Sequence, residues 1–195
     1  MYVHSLRRNS FLGDFQKEMK KNIFIDFSQR ALKHVNVVNL HRKFNEMNVP
    51  LDMKCLSDKV EDEVKIMSMV KNHPNIIQLD YGFKLQHSVF MCMELFIGHD
   101  LLDEIQKSEG GNGLGEERAR FFFRQLMLGV QFCRNHNVIH GDIKLENILV
   151  NRRGELKIID FGFSHVVIEG RKMEVLFWLF YAKISCVVFR YFLSF

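Results

Sequence analysis

Val138-Ile139-His140-Gly141-Asp142-Ile143-Lys144-Leu145-Glu146-Asn147-Ile148-Leu149-Val150, followed shortly by Leu156-Lys157-Ile158-Ile159-Asp160-Phe161-Gly162, decides how this chain is read. The apolar runs Ile148–Val150 and Leu156–Ile159 flank a turn signal at Asn151–Gly154, which predicts two short strands joined by a tight turn. Among the polar groups of these two runs are the aspartates Asp142 and Asp160, the carboxamide of Asn147 and the ammonium of Lys144. Transfer of a phosphoryl group from a nucleotide needs such a set. One carboxylate accepts a hydroxyl proton, and hard oxygen ligands hold magnesium on the phosphates. Asp142 suits the first task, and Asn147 and Asp160 suit the second. Lys144 can set a positive charge at the transferring phosphate.

Working outward, the apolar spacing before this stretch is helical. Glu116–Asn135 reads as a long helix with Ala119, Phe122, Phe123, Leu126, Val130 and Cys133 facing inward. Asp100–Ser108 reads as a short helix, and the glycines of Glu109–Gly115 mark a loop. Upstream of Gly98 the pattern changes to short runs with period two. Ile76–Phe83 and Ser88–Leu95 predict two strands around a turn at Lys84–His87. Ile23–Phe27 and Arg30–Val38 predict a hairpin turning at Ser28-Gln29. Between them, Asn39–Ser57 is polar and mixed and reads as loop and the start of a helix. A helix follows, with Val60, Val64, Met67 and Val70 at helical spacing, an N-cap at Ser57 or Asp58, and a stop at His73-Pro74-Asn75. A strand-rich part thus precedes a helix-rich part, with the natural hinge near Leu95–Gly98.

The two motifs at this spacing resemble the protein kinase family. The resemblance implies an α+β, two-lobed fold: residues 1–95 as a strand-rich N-lobe with one main helix, residues 96–167 as an incomplete helical C-lobe, and residues 168–195 as an atypical apolar tail. ATP and Mg2+ are the implied cofactors. Ala31-Leu32-Lys33 matches the family's Val-Ala-Ile-Lys strand, so Lys33 would grip the α- and β-phosphates and Ala31 would roof the adenine. Glu63 stands where the glutamate that pairs with this lysine belongs. Met93-Glu94-Leu95-Phe96 resembles the hinge, with Met93 as gatekeeper and the backbone of Glu94 and Phe96 facing the adenine edge. Asp100 matches the acidic residue that meets the ribose or a basic substrate side chain, and Leu149 matches the floor under the adenine. Met67, His140 and Phe161 match members of the stacked apolar spine. Lys33-His34-Val35, Asp100-Leu101-Leu102-Asp103, Ala119-Arg120-Phe121-Phe122 and Gly154-Glu155-Leu156-Lys157 are similar to the PIM serine/threonine kinases of the calmodulin-kinase-like group.

Three departures from the family pattern stand out. Leu12-Gly13-Asp14-Phe15 lacks the later glycines of a phosphate-cradling loop, and Glu18 would repel phosphate. Gly141 stands where the family has an arginine that reads a phosphate on the activation loop. After Phe161-Gly162 there is no Ala-Pro-Glu motif; the apolar stretch 175–195 follows, and a truncated kinase is the expectation. Phe122, Phe123, Leu126 and Val130 would then lose part of their cover. The expected activity is serine/threonine phosphoryl transfer to a protein substrate, with basic flanks preferred because Asp100, Asp103 and Glu146 are acidic. The alternative is a catalytically dead, pseudokinase-like binding protein.

Composition fits this frame. At 47% apolar and 26% charged, the 195 residues can build a core. A net charge of +4 with scattered Lys and Arg gives no nucleic-acid footprint. The cysteines Cys55, Cys92, Cys133 and Cys186 form no CxxC pair, so neither a zinc site nor a disulfide framework is expected. Met1–Arg8 is polar and reads as no signal peptide, and Lys183 and Arg190 argue against a membrane anchor in the tail. A cytoplasmic location is expected, with a nuclear one as the alternative.

Overall fold

The structure is a computed structural model that describes residues 3–5, 30–49, 51–108 and 114–167. The predicted strand at Ile23–Phe27, the glycine-poor stretch Leu12–Glu18, Cys186 and the tail 168–195 lie outside these residues. The chain forms two compact units, Met1–Val64 with Leu79–Leu95, and Lys65–Gln78 with Phe96–Phe195. A single division at 95/96 would keep residues 65–78 with the strands. In the structure they join the second unit, where Asn75 and Ile76 bond to residues 156–158.

The first unit holds a four-stranded antiparallel sheet. Its strands are β1 (Val3–Ser5), β2 (Arg30–Asn36), β3 (Leu79–Leu85) and β4 (Ser88–Glu94), in the order β1-β2-β4-β3. Strand β4 is central, so its side chains are covered on both faces, and Val89–Met93 is an unbroken buried run. Strand β2 alternates instead, placing Ala31 and Lys33 inward. The β3–β4 turn is tighter than expected: Gln86 takes a left-handed φ of 52°, and β3 runs on through Leu85. Ile76, expected in this strand, makes only an isolated bridge to Ile158.

Two helices start in this unit, the longer of them the one main helix expected. Asn36 ends β2 and caps α1 (Val37–Glu46), its side chain accepting the Asn39 N–H at 3.0 Å. Val37 and Val38, expected as strand, are helical, because an Asx cap stabilises the turn more than two β-branched residues oppose it. Helix α2 (Met53–Met69) begins four residues before Ser57. Asp52 supplies its start, accepting the Cys55 N–H at 2.6 Å, and the extra turn buries Leu56.

In the second unit, β5 (His99–Asp100) leads into α3 (Leu101–Lys107), capped by Asp100 and closed at Ser108. The long helix α4 (Glu116–Asn135) has the expected bounds. Ala119, Phe122, Leu126, Val130 and Cys133 face inward as expected and are buried, so the loss of cover expected for Phe122, Leu126 and Val130 is not seen, whereas Phe123 is half-exposed. Gly129 belongs to the same stripe: a Cβ there would lie 2.8 Å from Ile158. Strands β7 (Ile148–Val150) and β8 (Leu156–Ile158) pair with β5 in the order β5-β7-β8, while β6 (Val138–Ile139) pairs with β9 (His165–Val166). Among the described residues, no helix is long and apolar enough to cross a membrane.

Candidate active site

The loop between β6 and β7 brings Asp142, Lys144 and Asn147 together. The Lys144 ammonium donates to Asp142 Oδ2 at 2.7 Å. Asn147 sits in a 3-10 turn (Leu145–Asn147), and its amide Nδ2 donates to the backbone oxygen of Asp142 at 2.8 Å and to its Oδ2 at 3.0 Å. The Lys144 hydrogen bond, more than any other contact, holds the Asp142 carboxyl below the usual carboxylate range. Asp142 is thus ionised and oriented at neutral pH, the state a proton acceptor needs. The same bond raises the Lys144 ammonium. Lys144 is exposed, free to follow a ligand.

Asp160 is fixed through its neighbours. The Ile159 N–H donates to the Asn147 carbonyl at 2.9 Å, and His140 Nε2 bonds the Ile159 carbonyl at 2.9 Å. On the other side, Phe161 is fully buried, edge-on to His140 at 4.7 Å between ring centroids. Asp160 between them adopts a left-handed φ of 62°, a conformation an aspartate tolerates better than most residues. Met67, the third expected spine residue, is buried in the same unit.

Burial holds His140 below its ordinary value. Its bonds fit the neutral ring: Nε2–H donates to Ile159, and Nδ1 accepts the Asp142 N–H at 3.3 Å. His34 and His73 are lowered by burial too. The unfolded chain takes up protons near pH 6.5 that these folded rings resist. Stability is therefore full above that value and falls as pH drops through it, by at most about 1.4 kcal/mol per pH unit for each proton. Urea midpoints should fall between about pH 7.5 and 5.5. His140→Phe should flatten that slope, and an unchanged slope would show that this ring does not stay neutral.

In the first unit, Lys33 Nζ donates to Glu63 Oε1 at 2.5 Å, with both side chains about 95% buried (6% and 5% exposed). Residues thirty apart in sequence meet because β2 is an inner strand and Glu63 lies on the buried stripe of α2. Ala31 faces Met93 in the β2–β4 register, and Arg30 faces Glu94. In the second unit, Phe96 lies under the Lys157 ammonium, 5.8 Å from its ring centroid. Leu149 pairs with Asp100 across β5–β7. Asp100 spends one carboxylate oxygen as a cap, accepting the Asp103 N–H at 2.8 Å. Asp103 pairs with Lys107, and Glu146 is exposed.

Among the described residues no three or more His, Cys, Asp or Glu side chains cluster as a metal site. The donor set nevertheless fits magnesium. Asn147 turns Nδ2 to Asp142, which leaves its amide oxygen as the atom that would meet a cation, and Asp160 would add a carboxylate. Magnesium takes most of its remaining ligands from phosphates and water.

Asn75 escaped the sequence reading, where it marks only a helix stop. Its buried side chain donates to Leu156 O at 2.9 Å and Gln125 Oε1 at 3.1 Å, tying β8 to α4. The available signal is an amide directly preceding the buried pair Ile76-Ile77. The structure also gives Gly141 a local reason. Its φ is 82°, and a Cβ would lie 2.3 Å from the Phe163 carbonyl oxygen, so an arginine would be strained here.

The second unit thus holds an oriented carboxylate with an ammonium and an amide beside it, and the first unit holds a buried lysine–glutamate pair. Residues 26–182 match the protein kinase domain, and the chain belongs to that family. It is 35% identical over 122 residues to sperm motility kinase 2B of Mus musculus, covering 63% of this chain and 24% of the relative. It is 36% identical over 126 residues to NUAK family SNF1-like kinase 2 of Homo sapiens, covering 60% of this chain and 19% of that protein. With CBL-interacting protein kinase 20 of Oryza sativa subsp. japonica, identity is 39% over 112 residues, 55% of this chain and 24% of the relative. The chain thus spans about a quarter or less of these relatives' length.

Proposed function

We propose that this chain is a serine/threonine protein kinase, transferring the γ-phosphoryl group of ATP to a protein hydroxyl. The observation that carries the reading is the Asp142–Lys144–Asn147 cluster. Asp142 orients the substrate hydroxyl and accepts its proton as the new oxygen–phosphorus bond forms and the bond from the γ-phosphorus to the departing ADP breaks. Lys144 leaves the Asp142 carboxylate to neutralise charge on the transferring group. Asn147 and Asp160 hold Mg2+, which screens phosphate charge when bound. Lys33, kept in place by Glu63, grips the α- and β-phosphates, and the family resemblance assigns the adenine to Ala31, Met93 and Leu149 and to the backbone at Glu94 and Phe96. Asp100 and Glu146 favour a substrate with basic flanks. The local motifs support placing the chain with PIM-like kinases of the calmodulin-kinase-like group.

A second reading, a pseudokinase-like binding protein, is favoured by one observation: no glycine lies between Gly13 and Lys33. One experiment separates the two. Mg-ATP should raise the melting temperature progressively with concentration, by mass action. Labelled phosphate should pass to a basic serine peptide in preference to an acidic one, and Asp160→Ala should abolish both effects. A shift without transfer would favour the second reading. Neither shift nor transfer at millimolar nucleotide, in folded protein, would refute the first.

A further inference from the structure

We infer that Gly82 and Lys84 of β3 form a latch that sets the rotation of α2 and so positions Glu63 on Lys33. Helix α2 shows two adjoining faces. Leu56, Val60 and Glu63 lie on the buried one. Ser57, Glu61 and Val64 follow at helical spacing on the next, and this face meets β3. Lys84 Nζ donates to Ser57 Oγ at 2.7 Å and to Glu61 Oε1 at 2.6 Å, and Ser57 Oγ donates to Glu61 Oε1 at 3.0 Å. Two residues earlier, and so on the same side of β3, the Gly82 backbone comes so near the helix that a Cβ would lie 2.3 Å from Val64 Cγ1. Val64 is β-branched and nearly locked in one rotamer on a helix, so it cannot swing aside.

The two contacts divide the work. The missing side chain at Gly82 sets how close the helix lies, and the three-centre polar cluster sets its rotation. Glu63 directly precedes Val64, so its direction follows from where Val64 seats. The Lys84 cluster is partly exposed, with side-chain exposures of 44% and 36% for Lys84 and Glu61, and its effect is correspondingly modest. The close approach at Gly82 is the stronger constraint. Neither residue touches the proposed ligand groups; both act through Glu63.

The test follows Lys33 in the full-length chain by the rate at which a small acylating reagent modifies its amine, read by peptide mass spectrometry. Lys33 is only 5% exposed, so acylation reports opening of the pair. Lys84→Met should raise the Lys33 acylation rate by about two- to fivefold, the range an exposed ion pair supports, with the melting temperature nearly unchanged. Gly82→Ala should raise it further, and adding Val64→Ala to Gly82→Ala should bring the rate back toward wild type by making room for the new methyl group. A merely structural role would move the melting temperature and leave Lys33 acylation in the folded state alone. Unchanged acylation in Lys84→Met, or no rescue by Val64→Ala, would overturn the inference. The consequence for nucleotide rests on the proposed kinase reading and is measured separately as Mg-ATP affinity. Faster acylation with unaltered affinity would uphold the latch and count against Lys33 as a phosphate ligand.

Discussion

Asp142→Asn should lower phosphoryl transfer by about a hundredfold to ten-thousandfold, the usual contribution of a positioned proton acceptor. Mg-ATP affinity should change little. The substitution keeps the size and planarity of the side chain. Asn147 Nδ2 retains its 2.8 Å bond to the backbone oxygen of residue 142, so the loop has reason to stay in place. What disappears is the negative charge that Lys144 partners at 2.7 Å and the basic oxygen that would take the hydroxyl proton. Single-turnover rates with saturating Mg-ATP separate the chemical step from binding. A rate within a few-fold of wild type would remove Asp142 from the proton-acceptor role and transfer the burden to positioning alone.

The parts of the molecule most legible in the sequence are those where chemistry and local pattern coincide. Helix α4 declares itself because one apolar stripe persists over twenty residues, with glutamates at its start and Arg134 in its last turn. The pairing of Lys33 with Glu63 follows from the family resemblance and not from spacing, since nothing local connects residues thirty apart. The 2.5 Å contact is a tertiary fact. The failures lie where two local rules compete. Val37 and Val38 read as a continuing strand, yet Asn36 turns the chain into α1. The sequence reading puts the cap at Ser57 or Asp58, whereas Asp52 starts the helix and the extra turn buries Leu56. Ile76 and Ile77 look like strand because an apolar run looks the same whether it enters a ladder or is tied down by one buried amide, here Asn75. Gly141 reads as the loss of an arginine. The approach of Phe163 to its backbone is invisible without coordinates.

Lys33→Met should cost about 3–5 kcal/mol of folding stability, because it leaves Glu63 buried without its ammonium partner. Against a total of about 5–15 kcal/mol for a domain, that is a large share. The methionine side chain nearly matches lysine in length and apolar volume, so packing changes little and the loss is mainly electrostatic. The pairing itself is weaker than this figure suggests, since withdrawing both charges from water offsets much of their attraction. Removing both should therefore be milder than removing one. Lys33→Met/Glu63→Leu should recover most of the loss in urea unfolding, and neither variant should bind Mg-ATP as the wild type does. The stability order wild type, double variant, single variant would mark an ion pair kept for ligand binding rather than for folding. A single variant costing under about 1 kcal/mol would mean that other groups around Glu63 already compensate its charge. In that case the pair would not fix α2, and the position of Glu63 would rest on the contacts that α2 makes with β3.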